Sequence, residues 1–208
     1  RDRSPYRGLG DVYKRQSINN LSPNFNLIKD IANEARMPIT YGGGIKNCND
    51  AIKIFNFGIE KISINSLYFE NKNEVKKIIN SVGSQSLAVT LDIKLDNNEY
   101  CVFTNRGKIK QNISLINVLK EIQQIKVGEV IINNIDKEGT MQGYDEKLLE
   151  LVFKNTKIPI TFIGGVGQKS DLKNAIKKFG CIGFGCSSFF IYKGPRKAVL
   201  ISYKNSFF

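Results

Sequence analysis

The chain has 208 residues, 31 Lys+Arg against 19 Asp+Glu, a formal charge of +12 and no histidine. At 41% hydrophobic and 24% charged it has the composition of a globular domain, which excludes a disordered chain, and its length suits one domain or a small barrel. The missing histidine excludes a Ser-His-Asp triad, a Cys-His pair and His-ligated metal sites, so acid–base work falls to Asp, Glu, Lys, Tyr or Cys.

Residues 1–16 hold four of the seven arginines and no isoleucine, whereas from Ser17 onward lysine and isoleucine take over. The break predicts a foreign or scar segment, with a native basic arm as the alternative. That segment carries five basic and two acidic residues, so without it the charge falls from +12 to +9. The remaining lysines are scattered and form no basic run, which predicts a solvated lysine-rich surface rather than a nucleic-acid or membrane partner.

From Asn24 onward, helical and strand patterns alternate. Phe25, Ile28, Ile31 and Ala35 have helical spacing, and Pro38–Tyr41 reads as a strand running into Gly42-Gly43-Gly44. A helix from Asn49, strand Lys61–Asn65, a helix from Glu74 and strand Leu87–Ile93 follow. Residues 99–110 read as a hairpin. Next come a helix from Ser114, strand Glu129–Ile132, a helix from Tyr144, strand Ile158–Ile163, a helix from Ser170 and strand Ile182–Cys186. Strands alternating with helices predict an α/β fold of parallel β/α units. The four cysteines, Cys48, Cys101, Cys181 and Cys186, form no C-x-x-C pair and are expected to be reduced thiols, with no metal or cofactor bound. No apolar run nears the ~18 residues of a membrane-spanning helix, so the cytoplasm is the expected compartment.

Two stretches match each other at an offset of about 121 residues. Met37–Gly44 resembles Ile158–Gly165; Asp50 and Asp171 each lie seven residues after Gly43 and Gly164; Asn65-Ser66 and Ser187-Ser188 follow Gly58 and Gly180 at equal spacing. Such a period implies a duplicated half built of several elements. Strands Leu87–Ile93 and Glu129–Ile132 have no counterpart in the first half. Two halves of four units would make a (βα)8 TIM-type barrel, and about six units are present, so residues 17–208 are expected to form an incomplete, N-terminally truncated barrel. An open barrel edge and missing strands predict that the chain alone is inactive.

Both repeated strands end in glycine turns followed by a helix. Glycines let backbone amides approach an anion, and helix N-termini favour negative charge. Gly43 and Gly44 with Asn65 and Ser66, and Gly164 and Gly165 with Ser187 and Ser188, are candidate phosphate cradles, the alternative being tight turns alone. Two related cradles predict a substrate phosphorylated at both ends.

Several motifs carry a resemblance. They are Tyr41-Gly42-Gly43-Gly44-Ile45, Lys61-Ile62-Ser63-Ile64-Asn65-Ser66, Gly83-Ser84-Gln85, Leu91-Asp92-Ile93-Lys94, Ile135-Asp136-Lys137-Glu138-Gly139-Thr140, Gly143-Tyr144-Asp145 and Gly164-Gly165-Val166-Gly167. Over about residues 17–192 the chain resembles the cyclase subunit family of imidazole glycerol phosphate synthase, of histidine biosynthesis. The resemblance implies a barrel that takes ammonia from a glutaminase partner to cleave and cyclise a bis-phosphorylated substrate, a lyase reaction. It implies Asp92 as one of two acid–base aspartates, the other lying on an absent first strand. It further implies that Asp136, Gly139 and Thr140 contact substrate, that Lys61 and Glu129 belong to an ammonia gate, and that the Gly83-Ser84-Gln85 turn faces the glutaminase. An ordinary strand-end carboxylate and an ordinary ion pair are the alternatives for Asp92 and for Lys61 with Glu129.

The chain departs from the family pattern at Lys137-Glu138, where Arg-Asp is common, and at Gly194-Pro195, which would break a closing helix. That ending resembles a branch associated with surface-polysaccharide genes, in which an ammonia-delivering subunit works with a glutaminase and an ATP-dependent ligase to amidate a sugar. That non-cyclising role, and a related sugar-phosphate isomerase barrel, are the alternative functions.

Overall fold

The computed structural model describes residues 22–180, 182–193 and 198–199. The segment 1–16, Cys181 and the Gly194-Pro195 break lie outside the described residues. Contacts divide the chain into two compact units. The first runs through Thr90 and takes in Ile125–Glu129; the second comprises Leu91–Gln124 and Val130 onward.

The first unit opens with α1 (Phe25–Glu34), β1 (Thr40–Gly42), α2 (Cys48–Phe55) and β2 (Lys61–Ile64). A short α3 (Ser66–Glu70), α4 (Lys72–Val82) and a 3₁₀ turn at Ser84–Ser86 lead into β3 (Leu87–Asp96), whose first residues belong to this unit. Asparagine side chains start three of these helices. Asn24 accepts from Leu27 N at 3.2 Å, Asn47 from Asp50 N at 2.9 Å and Asn71 from Glu74 N at 3.1 Å, each satisfying an otherwise orphan helix donor. β1 pairs in parallel with β2, Thr40 opposite Lys61 and Gly42 opposite Ser63; β2 pairs in parallel with β3, Ile62 opposite Leu87. Ile54, Ile62, Val75, Ile78, Leu87 and Val89 are fully buried between helices and strands.

In the second unit the later residues of β3 pair antiparallel with β4 (Glu99–Thr104), which pairs with β5 (Ile109–Ser114). Then come α5 (Leu115–Gln124), β6 (Glu129–Asn134), α6 (Glu146–Asn155), β7 (Ile160–Ile163), α7 (Lys169–Phe179), β8 (Gly183–Gly185), α8 (Ser188–Ile191), and a small antiparallel pair, β9 (Tyr192–Lys193) with β10 (Ala198–Val199). β6, β7 and β8 pair in parallel, with Val130 opposite Ile160 and Thr161 opposite Gly183. Leu119, Ile122, Ile132, Leu148, Val152 and Phe162 form the core of this unit.

The alternating order of strands and helices is the one expected, with several boundaries corrected. β1 and β7 start at Thr40 and Ile160, not at Pro38 and Ile158, because Pro38 and Pro159 have no N–H to offer a ladder. β8 is shorter than expected, Gly183–Gly185. β3 runs to Asp96, three residues past Ile93, because Asn97 and Asn98 both take positive φ (49° and 64°) and turn the chain back into β4. The hairpin expected at 99–110 is thus the outer part of a three-strand meander. α3 and α8 were not expected; each is too short to show helical periodicity.

The repeat is structural as well as sequential. α2 and α7 begin at Cys48 and Lys169, 121 positions apart, after extended residues Asn47 and Gln168. α3 and α8 begin at Ser66 and Ser188, 122 positions apart.

Candidate functional site

In the first unit, parallel pairing of β1 with β2 delivers Gly43-Gly44 and Asn65-Ser66 to the same end of adjacent strands. Gly43 and Gly44 have φ of 120° and 72°, backbone conformations that L side chains rarely adopt, and a Cβ on Gly44 would lie 3.0 Å from the Ser22 carbonyl carbon. Asn65 precedes α3 and its Nδ2 donates to the Thr90 carbonyl at 2.9 Å; Ser66 is the first helical residue. The Ser63 and Thr90 hydroxyls also bond to one another.

In the second unit β7 and β8 do the same for Gly164-Gly165 and Ser187-Ser188. Gly164 and Gly165 have φ of 112° and 95°. These glycines also have a packing reason. A Cβ on Gly165 would sit 2.2 Å from the Gly143 carbonyl oxygen, and Gly143 N donates to the Gly165 carbonyl at 2.8 Å. The residues from Gly139 to Tyr144 therefore lie against this turn, and a Cβ on Gly139 would come within 3.8 Å of Ser188 Oγ. Of the residues expected to contact substrate, Asp136 accepts the Leu95 N–H at 2.8 Å, and the Thr140 hydroxyl donates to the Lys137 carbonyl at 2.9 Å. Cys186, just before Ser187, has its thiol pushed up to about 11 by burial, with Asp171 adding to the effect, and so is a neutral thiol at neutral pH.

Asp92 is 8% exposed on β3, opposite Phe103 of β4. Its Oδ1 accepts from Asn133 Nδ2 at 2.7 Å. Sequence reasoning missed Asn133. It ended β6 at Ile132, whereas the strand continues through Asn133 and Asn134, both buried. Two amides continuing an apolar strand were the available signal, since buried polar side chains need partners.

Lys61 and Glu129, the first residues of β2 and β6, form a direct ion pair in the first unit. They lie at the N-terminal ends of their strands. Lys61 is four residues from Asn65 along the strand, roughly 13 Å at the usual strand rise. Gly83 has φ of 85° and leads into the Ser84–Ser86 turn, against which Gly128 packs so closely that a Cβ there would lie 2.6 Å from the Ser84 carbonyl oxygen. Among the described residues there is no cluster of Cys, Asp and Glu able to hold a metal ion, and no helix is long and apolar enough to cross a membrane. Cys48, Cys101 and Cys186 are free thiols.

Parallel β/α units, glycine turns at the strand ends and a buried strand carboxylate define an α/β fold of the TIM-barrel type with about six units. The family model described as histidine biosynthesis protein matches residues 16–192. The chain is 42% identical over 185 residues to the "Putative imidazole glycerol phosphate synthase subunit HisF" of Leptospira borgpetersenii, a match that covers 88% of this chain and 73% of that protein. It is 39% identical over 152 residues to the imidazole glycerol phosphate synthase subunit HisF of Sulfolobus acidocaldarius, covering 73% of this chain and 61% of that protein. The chain belongs to the histidine biosynthesis protein family.

Proposed function

We propose that this chain is the cyclase subunit of an imidazole glycerol phosphate synthase, a lyase that uses ammonia to cleave and cyclise a bis-phosphorylated substrate. The observation that carries the reading is the match over residues 16–192, together with relatives that bear the name of that subunit. Asp92 is the acid–base carboxylate of this reading. Its burial and its bond to Asn133 fit a group that must exchange protons in a water-poor site. The two glycine turns, each beside a pair of small polar residues, are the phosphate cradles: Gly43, Gly44, Asn65 and Ser66 in one, Gly164, Gly165, Ser187 and Ser188 in the other. Gly139 and Thr140 lie on the segment that packs against the second cradle, Asp136 precedes it and accepts the Leu95 N–H, and the three adjust substrate there.

The ammonia comes from a glutaminase partner, and Lys61 with Glu129 forms part of its gate. An ion pair at the N-terminal ends of two strands suits that role, because it opens by side-chain rotation without moving the backbone. No observation favours the non-cyclising amidation role or the isomerase role.

The test is turnover of the phosphorylated ribulosyl-formimino substrate by the barrel completed with the first two β/α units of a relative, since the chain alone is expected to be inactive, supplied with ammonium salt and separately with glutamine and the glutaminase. The expected products are imidazole glycerol phosphate and an aminoimidazole carboxamide ribotide. Formation of neither product from ammonium salt, with the substrate bound, would overturn the cyclase reading.

A further inference from the structure

Asn133 is 4% exposed, and its two polar atoms have different fates. Nδ2 donates to Asp92 Oδ1 at 2.7 Å. Oδ1 is buried and has no hydrogen-bond partner, and it is the one such side-chain atom among the described residues. The amide cannot be turned round to cure this. A flipped Asn133 would set a carbonyl oxygen against a carboxylate oxygen and leave two N–H donors buried in its place. A buried acceptor without a donor is costly and in native proteins is normally met by water or a ligand.

We propose that Asn133 Oδ1 binds the ammonia nucleophile beside Asp92, through one of its N–H bonds. The proposal rests on the cyclase reading above. Ammonia has three N–H donors and one lone pair, and the lone pair must stay free to attack. A site that presents oxygen acceptors holds ammonia by its hydrogens only. Asn133 contributes an acceptor to ammonia while its own N–H is already committed to Asp92, so it does not compete for the lone pair. The same side chain thereby fixes the carboxylate and the nucleophile at one place, which converts an encounter of two groups into a preset geometry.

The test has two arms, the first on the full chain. In the first, the Asn133 side-chain amide signal is followed by ¹H–¹⁵N NMR during titration with ammonium chloride, at a pH where part of it is free ammonia, and with tetramethylammonium chloride as control. A saturable shift with ammonium only is expected. No shift, or an equal shift with both salts, means that resident water satisfies Oδ1 and overturns the proposal. In the second arm, Asn133→Leu is assayed with ammonium salt in the barrel completed with the first two β/α units of a relative. Its KM for ammonia should rise about tenfold, as for a lost hydrogen bond, with KM for the phosphorylated substrate within about twofold. Equal changes in both constants would overturn the proposal. Should the barrel completed with the first two β/α units of a relative turn over no substrate, the cyclase reading falls, and the NMR arm still decides whether Asn133 binds ammonia.

Discussion

Asp50 and Asp171 make the same bond in the two copies of the repeat. Each uses Oδ2 to accept the backbone N–H four residues before it, Lys46 in one copy and Gly167 in the other, at 3.0 Å. Each sits in the first turn of its helix, where a negative charge is favoured, and ties the glycine turn to the helix that follows. Asp171 Oδ2 also accepts the Gln168 N–H at 3.0 Å, so Asp50→Ala should cost about 1 kcal/mol and Asp171→Ala about 1 kcal/mol more. Urea unfolding of the two variants checks this, and additivity in the double variant would mark the two copies as independent.

Gly165 and Gly58 separate steric need from conformational need. Both have φ near 95°, but a Cβ on Gly165 would meet the Gly143 carbonyl at 2.2 Å, whereas nothing lies within 4 Å of a Cβ on Gly58. Gly58→Ala should lose about 1 kcal/mol of stability, the cost of the positive φ alone. Gly165→Ala should lose at least about 2 kcal/mol more, because backbone must move. Equal losses in urea unfolding would contradict the close approach.

Tyr100 on β4 donates its hydroxyl to both oxygens of Asp145, at 2.9 and 3.0 Å, and Asp145 caps α6 by accepting from Leu148 N at 3.1 Å. Burial first, then this bond, pushes the Tyr100 hydroxyl up to about 12. The folded state thus holds the proton more tightly than the unfolded chain. The stabilisation is complete below pH 10 and is lost as pH rises from 10 through about 12. Tyr100→Phe should be less stable than the unaltered chain at pH 8 by about 1 kcal/mol, and the gap should close in alkali. Stability measured across that range gives the sign.

Asp92→Asn keeps the size of the side chain and removes its proton exchange. Loss of a positioned acid–base group should lower ammonia-dependent turnover about a hundredfold or more. Binding of the phosphorylated substrate, measured by calorimetry, should change little, since the residues proposed to hold its phosphates are separate.

Lys61→Met should act differently. Its ion pair with Glu129 is part-exposed, so stability should fall by only about 1 kcal/mol. Glutamine-dependent turnover should change relative to ammonia-dependent turnover, because in the proposed gating role only the former passes this ion pair. A constant ratio between the two rates would remove Lys61 and Glu129 from the gate.

Much of the architecture is legible along the chain because it rests on local chemistry. Phe25, Ile28, Ile31 and Ala35 announce a helix through a spacing that returns to one face every turn. Gly43-Gly44 and Gly164-Gly165 announce turns because positive φ suits glycine. The spacing of Asp50 and Asp171 after those turns carries the duplication, and the apolar run Leu87–Ile93 places Asp92 on a strand. The short helices α3 and α8 escape notice because one turn has no period to detect.

The pairings belong to the tertiary structure, because a hydrogen bond or an ion pair depends on distances between strands that spacing along a chain does not encode. Asn133 meets Asp92 across 41 positions and Glu129 meets Lys61 across 68. The amino-acid order marks Asp92 as a strand carboxylate. Only the packing of β6 beside β3 supplies its buried amide partner and leaves that partner an oxygen with no donor.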